Sequence, residues 1–157
     1  MSPRAACRLE ALGFREVYDY GPGKTDWLGH GLPVEGRDAD LPRAGDAVRE
    51  DVVTAKLGDR VGDLRELVER SPYGFALVVS DGGTLLGRLR KAALEGEPHA
   101  TAEEVMEPGP TTTRPDTPLS ALASKMRKAN LRTYLVSDPH GKLLGVLRRD
   151  EVEARLS

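Results

Sequence analysis

Several absences bound this 157-residue chain before any motif is read. It has one cysteine, Cys7, so no internal disulfide framework exists, and the expected setting is a reducing cytoplasm. No apolar run approaches the roughly 20 residues that span a bilayer, and the start shows no basic stretch followed by an apolar one. Neither a membrane nor an export signal is therefore expected. Charge of one sign is also missing: the formal net charge is -2, which gives no pull toward nucleic acid. The chain shows no Ser/His/Asp order, no phosphate-binding Walker loop and no paired carboxylates in a motif context. His30, His99 and His140 stand far apart without metal-ligand spacing. No catalytic residue and no metal site is assigned.

What is present is a phrase said twice. Ser80-Asp81-Gly82-Gly83-Thr84-Leu85-Leu86-Gly87 returns as Ser137-Asp138-Pro139-His140-Gly141-Lys142-Leu143-Leu144-Gly145. Ser80 to Ser137 is a shift of 57 residues and Gly87 to Gly145 a shift of 58, so a one-residue insertion is expected in the second turn. Around the phrase the same order of elements recurs. A β-rich stretch at 52–55 precedes a helix over 60–71, with Val61, Leu64, Leu67 and Val68 on one face. The apolar strand 75–79 turns into strand 85–89, and a helix opens at Lys91. In the second copy Thr101 caps a helix with Glu104 three residues on. Extended residues 111–114 then lead to a helix whose inner face is Leu119, Leu122, Ala123 and Met126. Strands 134–136 and 143–147 follow, and a helix over 151–156 closes the chain. A duplicated β-α-β-β-α unit of about sixty residues is the consequence.

These units resemble a tandem pair of CBS domains, the Bateman module, over residues 47–157. The resemblance rests on the extended threonines before Pro115-Asp116-Thr117, the apolar strand ending in Ser-Asp, and Leu-Leu-Gly-x-Leu in duplicate. It implies an α/β (α+β) fold in which two β-α-β-β-α repeats pack around a pseudo-two-fold axis with two clefts between their sheets. It also implies a homodimer formed through the CBS helices. Upstream, residues 4–36 resemble the C-terminal end of a rhodanese domain: a helix over 2–12, a strand over 14–18, Gly21-Pro22-Gly23, a turn carrying Trp27, and Gly31-Leu32-Pro33. The expected organisation is a rhodanese-like α-β-α remnant at 1–35, a linker at 36–46, a first CBS domain at 47–98 and a second at 99–157. Whether the remnant marks a true start or a truncated reading frame stays open. Cys7 lies within its helix, where neighbouring N–H groups are already bonded, so it is expected to be a small packed residue and not a sulfur carrier.

The CBS resemblance implies a regulatory module that takes AMP, ADP, ATP or S-adenosylmethionine, with no cofactor required. The family's recipe is Gly-x-x-Thr-x-x-Asp, in which Asp meets the ribose and Thr the phosphate. This chain departs from it. The Thr places hold Arg90 and Arg148, and the Asp places hold Ala93 and Glu151, with Asp150 just before Glu151. The second cleft is therefore the better candidate. Thr54 and Thr112 are candidates to hold the base, Thr133 is a further cleft candidate, and Tyr73 and Tyr134 are candidates to line a ring-sized pocket. Arg88, Lys91 and Arg149 add cations beside Arg90 and Arg148, and the planar donor fork of arginine suits phosphate. Alternatives remain a ligand-free structural or interaction dimer and, last, a fragment of a sulfurtransferase.

Overall fold

The computed structural model describes residues 2–36 and 39–157. Two helices, α1 (Ser2–Ala11) and α2 (Lys24–Gly29), precede a 3₁₀ turn at Ala44–Ala47. The first unit holds β1 (Val53–Ala55), α3 (Val61–Arg70), β2 (Ala76–Val79), β3 (Leu85–Leu89) and α4 (Lys91–Leu94). The second holds α5 (Ala102–Val105), β4 (Glu107–Pro108), β5 (Thr112–Thr113), α6 (Leu119–Lys128), β6 (Thr133–Ser137), β7 (Leu143–Arg148) and α7 (Arg149–Ala154). One sheet runs β1-β2-β3-β4 and the other β5-β6-β7. In each, the first pair is parallel and joined through a helix, and the second pair is an antiparallel hairpin.

The repeat is more regular than its letters suggest. Val78 pairs with Gly87 as Val136 pairs with Gly145, and Thr54 pairs with Leu77 as Thr112 pairs with Leu135. The offset is 58 residues at each of these positions, so no insertion separates the two turns. Ser80 Oγ accepts from the Thr84 N–H at 3.1 Å, and Asp138 Oδ1 accepts from the Lys142 N–H at 2.8 Å. Ser80 and Asp138 thus hold equivalent turn positions, and the repeated Ser-Asp letters lie one residue out of structural register.

The same offset extends back into the expected linker. Of residues 36–46, 37 and 38 lie outside the described residues, but 42–46 are built into the fold. Leu119 N–H donates to Pro42 O at 2.9 Å, as Val61 N–H donates to Ala100 O at 3.0 Å. Ala44 and Ala102 are both fully buried. Polar composition misled here because small alanines, not large apolar residues, do the packing.

Each unit sends this leading segment into the other. Ala44 and Ala47 pack with Leu119, Leu122 and Met126 in the second unit's core. Ala102 packs with Val61, Leu64 and Val78 in the first. The Arg49 backbone exchanges two hydrogen bonds with Val146, each 2.9 Å, while Glu107 and Pro108 pair with Arg88 and Gly87. These crossings explain the repeated glycine. A Cβ on Gly145 (φ +145°) would lie 2.3 Å from Arg49 O, and one on Gly87 would lie 2.4 Å from Met106 Sδ. At the tip of the hairpins the two copies meet directly: Leu85 N–H donates to Gly141 O and Leu143 N–H to Gly83 O, each at 3.0 Å. Between the sheets, Val52, Phe75, Leu77, Leu135 and Val146 form a third core.

Helix periodicity holds on α6, where Leu119, Leu122, Ala123 and Met126 are buried. On α3 it holds for Val61, Leu64 and Val68, but Leu67 is 53% exposed, at the outer edge of the stripe. The N-terminal segment differs more from expectation. The strand over 14–18 does not form, and Leu9, Leu12, Phe14 and Tyr18 are exposed. Cys7 is exposed as well. Only α2 docks. Leu28 is buried, Trp27 Nε1 donates to Pro33 O at 2.8 Å, and Thr25 Oγ1 donates to Asp116 Oδ2 at 3.4 Å.

Gly145→Ala is expected to destabilise the protein by about 2–4 kcal/mol, through backbone overlap and an unfavourable φ. Gly82→Ala is expected to be near neutral, since its Cβ would meet nothing closer than Ser80 Oγ at 3.8 Å. Urea denaturation midpoints of the two variants check the contrast.

Candidate functional site

Phe75, a member of the core between the sheets, also lines a cleft of about 560 Å³. Its walls come from both units at equivalent positions: Pro72 and Asn130, Tyr73 and Leu131, Phe75 and Thr133, Arg90 and Arg148. Each pair is separated by the 58-residue repeat offset, so the cleft is centred on the pseudo-two-fold axis. The strands explain this. The starts of β2 and β6 and the ends of β3 and β7 lie together at one end of each sheet's strands, and both ends face the same space.

The lining is cationic. Arg88, Arg90, Arg132, Arg148 and Arg149 face Asp150 as the one carboxylate. Arg148 binds that carboxylate at 2.6 Å. Arg90 Nε binds Glu107 at 2.7 Å, and Arg88 reaches the same oxygen at 3.6 Å. The Arg90 hydrogen bond, aided by the charges of both arginines, holds the Glu107 carboxyl below the usual carboxylate range. Arg88 stacks near Phe75, with its guanidinium carbon 5.9 Å from the ring centre. Its side chain is 23% exposed, yet its Nε is buried and without a hydrogen-bond acceptor among the described residues. Arg149 reaches Asn130 Oδ1 at 3.5 Å, and Arg132 makes no ion pair among the described residues.

A hydrogen-bonded chain borders the cleft. Tyr73 OH donates to Asp51 Oδ1 at 2.5 Å, Arg49 donates to Asp51 Oδ2 at 2.9 Å, and Arg49 also reaches Glu151 at 3.1 Å. Desolvation first, and the Asp51 carboxylate second, push the Tyr73 hydroxyl up to about 12. In return the Tyr73 hydrogen bond, then Arg49, draws Asp51 below its ordinary value.

Of the residues singled out in the sequence, Tyr73, Arg90, Thr133, Arg148 and Asp150 line this one cleft. Four others stand elsewhere. Thr54 is exposed on β1, away from the cleft. Thr112 Oγ1 accepts from Ser137 Oγ at 2.8 Å. Tyr134 is buried in the second unit's core with Lys125 Nζ 5.1 Å from its ring centre, because it alternates with Thr133 along β6 and faces the other way. Glu151 is engaged by Arg49. Lys91 pairs with Glu95 at 3.6 Å and does not line the cleft. The arginine ends that the sequence distributed over two clefts share one. Phe75, Asn130 and Arg132 were missed. The 58-residue offset from Phe75 to Thr133 was the signal that could have found the first of them.

Residues 102–156 match the family model for the CBS domain, which places a CBS domain in the second unit. Among solved structures, the cytosolic domain of the Mg2+ channel MgtE in complex with ATP is similar at 24% identity and a TM-score of 0.65. That match covers 74% of this chain and 50% of the other, so this chain spans about half the length of that domain. The CBS domains of a transcriptional regulator from Streptococcus pneumoniae are similar at 19% identity and a TM-score of 0.65, covering 73% of this chain and 99% of theirs. CBSX2 in complex with AMP is similar at 24% identity and a TM-score of 0.63, covering 73% and 95%. The fold is therefore the mixed α+β fold of CBS pairs, with two small sheets. No curated protein matches the sequence. No described helix is long and apolar enough to cross a membrane.

The chain at the cleft edge gives a titration prediction. A tyrosine hydroxyl whose pKa is raised on folding stabilises the fold below its unfolded value near 10, and that contribution fades as pH rises from 10 toward 12. In a spectroscopic tyrosinate titration, Tyr73→Phe should remove a phase centred near pH 12 and leave the earlier phases in place.

Proposed function

We propose that this chain is a non-catalytic regulatory module that binds a phosphorylated adenine nucleotide in the cleft between its two repeats. The carrying observation is the cleft itself: both units contribute to it at equivalent positions, and both place an arginine, Arg90 and Arg148, at the strand end facing it. Three features support the reading. The volume of about 560 Å³ falls within the range of roughly 300–1,000 Å³ common for small-molecule sites. Phe75 offers an apolar ring surface beside the guanidinium of Arg88. And the structurally similar proteins were solved with ATP and with AMP.

Regulation follows from where the cleft sits. A ligand touching both units favours whichever relative arrangement of the two closes best around it, and shifts the population by its difference in affinity. The module works in this reading as a homodimer through its outer helices, with Leu67 on α3 and Leu156 beyond α7 supplying exposed apolar surface. Residues 1–35 serve as a cover on the second unit through α2, and not as a sulfur carrier. Cys7 lies inside α1, where the neighbouring N–H groups are engaged by the helix and do not form the cradle that a persulfide requires.

A thermal-shift screen with AMP, ADP, ATP, S-adenosylmethionine, NAD and dinucleoside polyphosphates tests the reading. A ligand at 100 times its Kd should add about 2.7 kcal/mol of stability. Arg148→Ala should weaken that binding by about tenfold or more, given that a charge-assisted hydrogen bond contributes about 1.5–3 kcal/mol. Flat melting curves throughout, with a dimer that resists dilution in sedimentation, would establish a ligand-free interaction module instead.

A further inference from the structure

We infer that the cleft recognises the phosphate chain of its ligand and not the nucleoside, and that a single chain is shared between the repeats across the pseudo-two-fold axis. This rests on the reading of the cleft as a nucleotide site and narrows the class of ligand it takes.

The first observation is symmetry. Arg90 and Arg148 are repeat equivalents, and they line one cavity. A ligand centred there meets both, so one linear polyanion satisfies the two units together. The second is charge. Five arginines line the cleft against Asp150, and Arg88 and Arg90 share a single neighbouring carboxylate, Glu107. Cation charge is left over, since Arg132 and Arg149 make no ion pair among the described residues. A phosphate oxygen supplies an acceptor of the right charge, and arginine binds phosphate through paired N–H donors.

The third observation concerns the nucleoside. The groups suited to hold a ribose are already engaged: Asp150 by Arg148 at 2.6 Å, and Glu151 by Arg49 at 3.1 Å. Their equivalents in the first unit are Ala92 and Ala93, which have no acceptor to offer. Thr112 is hydrogen-bonded to Ser137, and Tyr134 faces the core. The cleft holds a surplus of donors for phosphate and few free acceptors for sugar. Base identity then matters little, and the number of phosphates matters a great deal.

Calorimetry on the full chain with inorganic tripolyphosphate, pyrophosphate, ATP, GTP, AMP and adenosine tests this. Tripolyphosphate, ATP and GTP should bind one per chain, within about threefold of each other. AMP should bind at least tenfold more weakly, and adenosine should show no binding. Arg90→Ala and Arg148→Ala should each weaken tripolyphosphate binding by tenfold or more. Glu107→Gln gives the opposite sign: it removes the carboxylate that competes for Arg88 and Arg90, so tripolyphosphate should bind several-fold tighter, a gain that misfolding does not produce. Two ATP molecules per chain, or ATP binding more than tenfold tighter than tripolyphosphate, overturns the inference while leaving a nucleotide site in place. Silence from every ligand overturns both.

Discussion

The fold depends on one reciprocal crossing. The Arg49 backbone lies across Gly145, and Met106 and Glu107 lie across Gly87, so each unit completes the sheet region of the other. A Cβ at Gly145 would run into backbone, and one at Gly87 would displace the Met106 side chain. From this crossing the rest follows. It draws Ala44 and Ala102 into opposite cores, sets the two hairpin tips against each other, and aligns the sheets so that equivalent strand ends open into a common space.

Within that symmetric frame the charges are not symmetric. The crossing residue of one unit is Arg49 and of the other Glu107, and each finds its partner on the facing unit: Glu151 for Arg49, and Arg88 with Arg90 for Glu107. Opposite signs at equivalent positions let the two crossings bind different neighbours: Glu107 draws on the cations of the first unit's wall, and Arg49 draws on an acid of the second unit. Exposed pairs of this kind contribute only about 0–1 kcal/mol each to stability. Their larger effect is on where charge stands free. Duplication supplied the geometry, and divergence at a handful of positions supplied the chemistry.

Much of the fold could be read from the sequence, because hydrophobic period and turn residues carry local information. The inner face of α6, the Thr101–Glu104 helix start and the paired hairpins all follow from such patterns. The turn insertion was misread because Ser and Asp both accept the same turn hydrogen bond, which made Ser80 and Asp138 interchangeable and the letter match misleading. The first unit's true beginning was hidden in a Gly- and Pro-containing stretch whose packing is carried by alanines. The site was half visible. Arg90 and Arg148 announced themselves by replacing threonine at matching places, whereas Tyr134 was assigned to the cleft because strand alternation fixes which residues share a face but not which face is the core. That five arginines converge on one space is a property of the axis, and no local pattern encodes it.

The crossing also orders events during synthesis. When the first hairpin has emerged from the ribosome, β3 is an open sheet edge and the groove that seats Met106 is empty. Nothing before Met106 can close them, so the nascent first unit waits with an unpaired edge until Pro108 has cleared the exit tunnel. Arg49 waits longer still, since its partner strand β7 follows β6 in the sequence. The two repeats are therefore not successive folding domains despite their successive order in the sequence. They close together, and only once β7 has emerged.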